Sequence, residues 1–322
     1  MDFRLTEDQE ALRDGVRAFC EGRFPLERLD ETARAGGFDR ELWSGLAELG
    51  VFALRRPESE GGVGLGAADA VLVFAELGRR LVPGPTIWSH LAAGLVPGAG
   101  AGETVVGGLD LADGEPLLVE HLAALDALLV VRDDGVERVD PRAVKGEPVA
   151  TPLDPLTPLH HVRELPRGER VGDAACAARL RLEGAALAAA LLLGIAESTQ
   201  ELAVAWAKQR EQFGRPIGGF QAIKHLCADL FVRQEMARAA VYAAGATIDQ
   251  PEVGDPARAV SSAKVVAFEA AMKNARACIQ IHGGMGYTWE MPPHWYLKRA
   301  WVLGTGFGSS EHHEERLARF LA

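Results

Sequence analysis

The chain has 322 residues, 48% of them apolar, which supplies a large core and room for more than one packed unit. Its 34 basic and 45 acidic residues leave a net charge of −11, which argues against a nucleic-acid or anionic-membrane surface as its main business. The longest apolar run, Ala185 to Ala196, is too short to cross a bilayer and contains a glycine, as suits a buried helix.

The N-terminal stretch MDFRLTEDQEALRDGV is acidic and amphipathic, unlike an export or transit signal, so a cytoplasmic location is expected. Thr6 with Gln9 three residues on makes a capping box ahead of Leu12, Val16 and Phe19 at helical spacing. A second helix is expected in DRELWSGLAELG, capped by Asp39 and stopped by Gly50. After the loop RRPESEGGVGLG, a third helix in AADAVLVFAELGRRLVPGP is expected to run to the prolines Pro83 and Pro85. Residues 1–85 therefore read as a helical domain.

Residues 86–170 change texture. Short apolar runs (ETVVGGL, PLLVEHL, ALLVVRDDGVERVD, LHHVREL) alternate with turn residues, and Asp134-Gly135 carries a hairpin signal between two of them. This is a small β-rich middle domain.

Residues 171–322 return to helix. A long helix is expected from Glu183 to Phe213, roughly 45 Å at the α-helical rise, with Gly214 and Pro216 as its stop. Two more follow, GFQAIKHLCADLFVRQEMARAAVYAAGATI and the segment capped by Asp255, opened by Pro256 and closed by Gly283-Gly284. Long helices with short joins make a bundle, here of four helices, so the fold class is mainly α with a small β middle domain. Cys20, Cys176, Cys227 and Cys278 are dispersed without a CxxC and read as small buried hydrophobes.

The C-terminal stretch GTGFGSSEHHEER offers ligand-type side chains in His312 and His313 beside glutamates. Adjacent helical residues point about 100° apart, whereas zinc helices use i,i+4 pairs. No metal is expected, and the stretch reads as a solvated terminal helix.

Three segments together resemble the acyl-CoA dehydrogenase family. They are the N-terminal DFRLTEDQEALRDGVRAF with LWSGLAELGVFALRRPESEGGVGLGAADAVLVFAELGR, then QREQFGRPIGGFQAIKHLCADL, then IQIHGGMGYTWEMPPHWYLKRA. The resemblance implies a helical, β, helical architecture, FAD, and α,β-dehydrogenation of acyl-CoA thioesters with electron-transferring flavoprotein as acceptor. It also implies that Arg210, Gln212, Phe213, Ile217, Phe220 and Gln221, with Gln280, Ile281, Gly283 and Gly284, hold the ADP half of an FAD seated mainly in a neighbouring subunit. Physically, an arginine at a helix C-terminus can fork onto a pyrophosphate, and glycines let backbone approach a cofactor, Gly286 included.

The sequence also departs from the family. The middle-domain segments that cradle the flavin ring and thioester have no counterpart in ETVVGGLDLADGEPLLVEHL. The glutamate that usually serves as base aligns with Phe307, which cannot accept a proton. A minority of the family places the base on the long helix, at a position that falls on Gly184; Glu183 is adjacent but turned by about 100°. Glu183 is then either a base, with the register one residue out, or a carboxylate at a helix start favoured by the dipole, and the second reading is preferred. The resemblance thus implies a short subunit of a heteromeric acyl-CoA dehydrogenase of actinobacterial type. A longer family member would supply the ring contacts and the base, and the acyl group would be bulky, as in steroid side-chain thioesters. The rivals are a self-sufficient homo-oligomer using Glu183 and a scaffold that binds no FAD.

Overall fold

A computed structural model describes residues 4–320. Helix α1 (Glu7–Arg23) opens with both arms of the expected capping box: Gln9 N donates to Thr6 Oγ1, and Thr6 N donates to Gln9 Oε1, each at 3.2 Å. A short α2 (Leu29–Arg34) follows. In α3 (Arg40–Glu48), Asp39 Oδ1 accepts from Glu41 N and Leu42 N at 2.8 and 3.0 Å, and Gly50, at φ +83°, closes the far end. Helix α4 (Ala67–Arg79) stops short of the prolines, at Leu81 in a left-handed conformation (φ +51°).

The next element is a departure from expectation. Residues 86–92 form a helix, α5 (Thr86–Ala92), rather than part of a β segment. Every one of its residues is buried, so it has no polar face to show a helical period. Two of its polar side chains are paired internally. Ser89 Oγ donates to Val106 O and accepts from Val106 N, both at 3.0 Å, and His90 Nδ1 lies 2.9 Å from Val51 O.

The strands form two small sheets. Strands β1 (Val106–Asp110), β3 (Ala127–Val131), β4 (Gly135–Val139) and β7 (Glu169–Asp173) make one, in the order β1-β3-β4-β7, with β1 and β3 parallel. The expected Asp-Gly hairpin is the antiparallel β3–β4 pair. Strands β2 (Leu118–Glu120), β6 (Leu159–Glu164) and β5 (Lys145–Pro148) make the other.

Asp173 ends β7 and at once caps α6 (Ala174–Gln209), accepting from Cys176 N at 2.9 Å. The helix therefore begins nine residues before Glu183, and runs about 54 Å at the α-helical rise. Glu183 is not a helix-start carboxylate: it lies in the third turn, beyond the reach of the terminal dipole. Around α6 pack α7 (Gln221–Asp249), α8 (Pro256–His282) and α9 (Pro293–Thr305), followed by α10 (Ser310–Arg319). Helix α4 crosses α6 backbone to backbone: a Cβ on Gly78 would lie 2.1 Å from Leu191 O, and one on Gly194 would lie 2.0 Å from Ala75 O. Beside that crossing, buried Arg79 pairs with Glu197 at 3.0 Å and Glu76 at 3.3 Å, while Arg17 and Arg238 reach the same two carboxylates. One ionic cluster thus joins α1, α4, α6 and α7. Among the described residues no helix is long and apolar enough to cross a membrane.

Candidate active-site cavity and exposed bundle end

Between α9 and α10 the chain turns through Gly306, Phe307 and Gly308, with Phe307 at φ +56° and Gly308 at φ +91°. Three side chains hold this turn. Lys264 of α8, fully buried, donates from Nζ to Gly306 O at 2.6 Å, Leu303 O at 3.1 Å and Gly308 O at 3.3 Å. Burial pushes it down to about 7, with Asp113 pulling the other way. His313 Nε2 lies 3.0 Å from Phe307 O and its Nδ1 3.1 Å from Ser261 Oγ. The carbonyl can only accept, so Nε2 carries the proton and the serine hydroxyl donates to Nδ1. Burial depresses His313 to about 4. Gly308 N donates to Asp113 Oδ1 at 3.1 Å. The terminal helix is therefore only partly the solvated element expected: His312 and the glutamates Glu311, Glu314 and Glu315 are exposed, whereas His313 is 1% exposed and structural. No group of three or more metal-ligand side chains occurs among the described residues.

Held this way, the Phe307 ring lies against α6. A Cβ on Gly184 would sit 2.2 Å from ring carbons of Phe307, so the glycine makes room for the ring. The other side of the ring meets Trp88, with centroids 4.6 Å apart, and Trp88 in turn covers Gly108 of β1. The two positions at which a base was sought, 307 and 184, are thus in contact, and neither bears a carboxylate. Glu183 is 8% exposed and engaged elsewhere, its Oε2 3.0 Å from Arg55 and 3.4 Å from Arg179.

Phe307 and Trp88 form part of the wall of a cavity of about 450 Å³, bounded by α5, β1, the segment leading into β2, α6 and α9. Its apolar lining includes Ile87, Leu109, Leu191 and Val302. Asp110, also on the lining, is clamped by Arg181 at 2.7 and 2.8 Å. Arg299, His121, Glu120 and Thr157 make a polar wall. Arg299 is paired with fully buried Asp154 and donates from Nη1 to Val82 O at 3.2 Å. Burial raises the Glu120 carboxyl, against the pull of Arg299, and lowers His121 to about 3. Sequence reasoning missed this wall altogether.

A second candidate region lies where α6 ends. Trp206 stacks on His282 with centroids 4.8 Å apart, so the ends of α6 and α8 and the start of α7 share one end of the bundle. There Arg210 caps α6, and the tight hairpin of β8 (Glu211–Gln212) and β9 (Arg215–Pro216) puts Phe213 at its tip, 93% exposed and at φ +53°. Arg210, Gln212, Gln221, Gln280, Gly283 and Gly284 are exposed; Ile217 and Phe220 are half-buried. Ile281 is buried in a small core with Ala203, Ala207, Leu230 and Cys278, so its side chain is not available to a ligand. The backbone of Arg210 is bonded to Trp206 O and Ile217 N, and among the described residues its guanidinium has no ion-pair partner. Gly283 needs its glycine for φ +62°, whereas Gly286 needs it for packing, since a Cβ there would meet Ile279 O at 2.6 Å. Gly286 is thus an internal glycine rather than a point of cofactor approach. Gly284 has neither reason: its φ is not left-handed and a Cβ there would meet nothing within 4 Å.

Two family models match the chain, the acyl-CoA dehydrogenase N-terminal domain over residues 6–101 and the acyl-CoA dehydrogenase C-terminal domain over 175–322. The chain belongs to the acyl-CoA dehydrogenase family. It is 38% identical to the acyl-CoA dehydrogenase IpdE2 of Mycobacterium tuberculosis over 91% of both chains. It is 32% identical to FadE34 of the same organism over 95% of its own length, which is 47% of FadE34. Among solved structures it matches a chain of the ChsE4-ChsE5 complex from Mycobacterium tuberculosis with a TM-score of 0.85 and 26% identity, covering 100% of this chain and 99% of that one.

For this acyl-CoA dehydrogenase-family chain, the stretch between the two models, 102–174, holds strands β1 to β7 and much of the polar cavity wall. Asp154 and Arg299 lie 145 positions apart, and each looks like a surface charge when read in sequence. Only the rarity of fully buried charges, which requires a structure to see, marks them.

Proposed function

We propose that this chain is a subunit of a heteromeric, FAD-dependent acyl-CoA dehydrogenase that lends ADP-side cofactor contacts to a longer catalytic partner of the same family. The observation that carries the reading is the contact of Phe307 with Gly184: at the meeting point of both candidate base positions there is an aromatic ring. Removing a proton α to a thioester needs a carboxylate in a dry pocket. Asp110 is committed to Arg181, Glu183 to Arg55 and Arg179, and Asp113 to the backbone of Gly308, while Glu115 accepts from Leu117 N and Glu120 lies on the polar wall with Arg299 rather than at either base position. FAD supplies hydride acceptance when bound. This chain's residues fit its phosphate side: the Arg210 guanidinium can fork onto a phosphate, and the open face of Gly284 admits a group to van der Waals distance of the backbone.

A partner surface is also at hand. Helix α7 exposes Val232 and Met236 on one face, 55% and 59% accessible, with Phe231 beside them and Phe213 near its start. Large apolar side chains grouped in this way suit a subunit interface. The ChsE4-ChsE5 complex, a chain of which shares this fold, supports the assembly. The test is expression of the chain alone and together with a long family member encoded beside it. The chain alone should carry little flavin and turn over no acyl-CoA, while the pair should be yellow and active. A yellow, active chain on its own favours the homo-oligomer, and a pair whose flavin is indifferent to this chain favours the scaffold.

A further inference from the structure

The turn that presents Phe307 is held by a lysine in an uncommon setting. Lys264 is fully buried, and its Nζ meets the carbonyl oxygens of Gly306, Leu303 and Gly308 at 2.6, 3.1 and 3.3 Å. No carboxylate lies within ion-pair distance of it among the described residues. Three acceptors around one nitrogen need three N–H bonds, so this is the geometry of an ammonium. A neutral amine has two N–H bonds and a lone pair, which would face a carbonyl lone pair. One of the three contacts must then be given up, and the longest is the one to Gly308 O.

The groups around Lys264 give its charge little support. From the segment after β1, Asp113 favours the ammonium, and Asp110 behind it is committed to Arg181. From α10, His313 offers no negative charge; Arg316 and His312 act on that imidazole in the same sense as Lys264 does. On α8 itself the nearest polar neighbour is Ser261, which is bonded to His313. Burial outweighs Asp113 and brings the lysine to about 7, so both forms are reached close to neutrality. The turn it holds is strained, with Phe307 at φ +56°, a conformation that persists only while its surroundings enforce it.

We propose that Lys264 is a proton-operated latch on this turn. As the ammonium it keeps the Phe307 ring wedged between Trp88 and Gly184; as the free amine it releases Gly308 O, and the ring leaves Trp88. The latch concerns motion of the wall and depends neither on a partner nor on what the cavity holds, because every group in it belongs to this chain.

Two measurements on the full chain, without ligand, follow the latch from about pH 6 to about pH 9.5, a range that spans the lysine and few other side chains. The first is hydrogen exchange of the peptide 304–309, corrected for intrinsic base catalysis, which reports the Gly308 amide bonded to Asp113. Its protection should fall on the order of tenfold across a one-proton transition, the loss of one hydrogen bond from a charged donor. The second is acrylamide quenching of Trp88, taken as the difference between the wild type and Trp88→Phe, which should rise at the same midpoint. Asp113→Asn keeps an oxygen for Gly308 N but removes the carboxylate that supports the ammonium, so both midpoints should move to lower pH. Lys264→Met should show low protection at every pH. His312→Gln should keep the wild-type profile, which separates the latch from an exposed imidazole titrating nearby. Protection that is flat or rises over the range overturns the proposal, and this wild-type profile needs no variant to fold. So does a midpoint unmoved by Asp113→Asn, a transition that survives in Lys264→Met, or one that disappears in His312→Gln.

Discussion

Glu183→Gln separates a structural carboxylate from a catalytic one. Glu183 Oε2 lies 3.0 Å from Arg55 Nη1 and 3.4 Å from Arg179 Nη1, and its side chain is 9% exposed. Removing one member of a fully buried ion pair costs about 3–5 kcal/mol. Here the arginines are 26% and 50% exposed, so water takes over part of their solvation and the amide oxygen still accepts one hydrogen bond. A loss of about 1–2 kcal/mol is expected after that screening. The assay is urea unfolding of the chain, paired with turnover of the assembled enzyme. Stability should fall by that amount while kcat stays within about twofold, because a positioned base is worth about 10²–10⁴-fold in rate. A hundredfold fall in kcat in a folded, flavin-loaded complex would refute the reasoning: it would place Glu183 at the substrate and make this chain self-sufficient.

Arg210→Ala should weaken flavin retention in the assembled enzyme by about 1.5–3 kcal/mol, measured by flavin release on dilution, with no change in the chain's own unfolding midpoint. Gly184→Ala drives a methyl into the Phe307 ring and should cost about 1–3 kcal/mol in urea unfolding; part of this should return when Phe307→Leu is added, as a double-mutant cycle would show. His90 and His313 are both held at about 4 by burial, against 6.5 for the free side chain. Unfolding lets each take up a proton, so their contribution is complete above about pH 6.5 and is lost as pH falls from there towards 4. The urea midpoint should fall steeply across that window, and less steeply in His313→Asn; a flat profile would show that neither imidazole is kept neutral.

Elements with chemical punctuation were legible in the sequence. Thr6 with Gln9, Asp39 with Gly50, Asp134-Gly135 and Asp255-Pro256 each fix backbone over a few residues, and the structure has the cap or turn at each. Helix α5 was illegible because burial on all sides removes the polar half of the pattern. The start of α6 was set too late because the apolar run opens near Gly184, whereas the preceding Ala177 and Leu180 bury a single narrow stripe among exposed alanines and Arg179. That error made Glu183 a helix-start residue. At the site, Phe307 was legible as a departure from a pattern. Its contact with Gly184 was not, because nothing local relates positions so far apart in the chain.

The turn that carries Phe307 bears on whether the site has decayed or been rebuilt. A non-glycine residue in the left-handed region costs about 1–3 kcal/mol and persists only where its surroundings enforce it. Here Lys264, His313 and Asp113 enforce it from three separate elements, two of them as buried groups with depressed affinity for protons. So costly a frame fits a wall that must stay closed at Trp88 and Gly184, rather than a loop released from constraint. Phe307→Glu tests this. The variant should fold, since the frame binds backbone atoms rather than the ring, with a loss of about 1–3 kcal/mol from placing an unpaired carboxyl against apolar walls. It should gain no acyl-CoA turnover in the isolated chain, because a carboxylate alone provides no hydride acceptor. Turnover by Phe307→Glu without a partner would show that this chain seats its own flavin and that only the base had been lost.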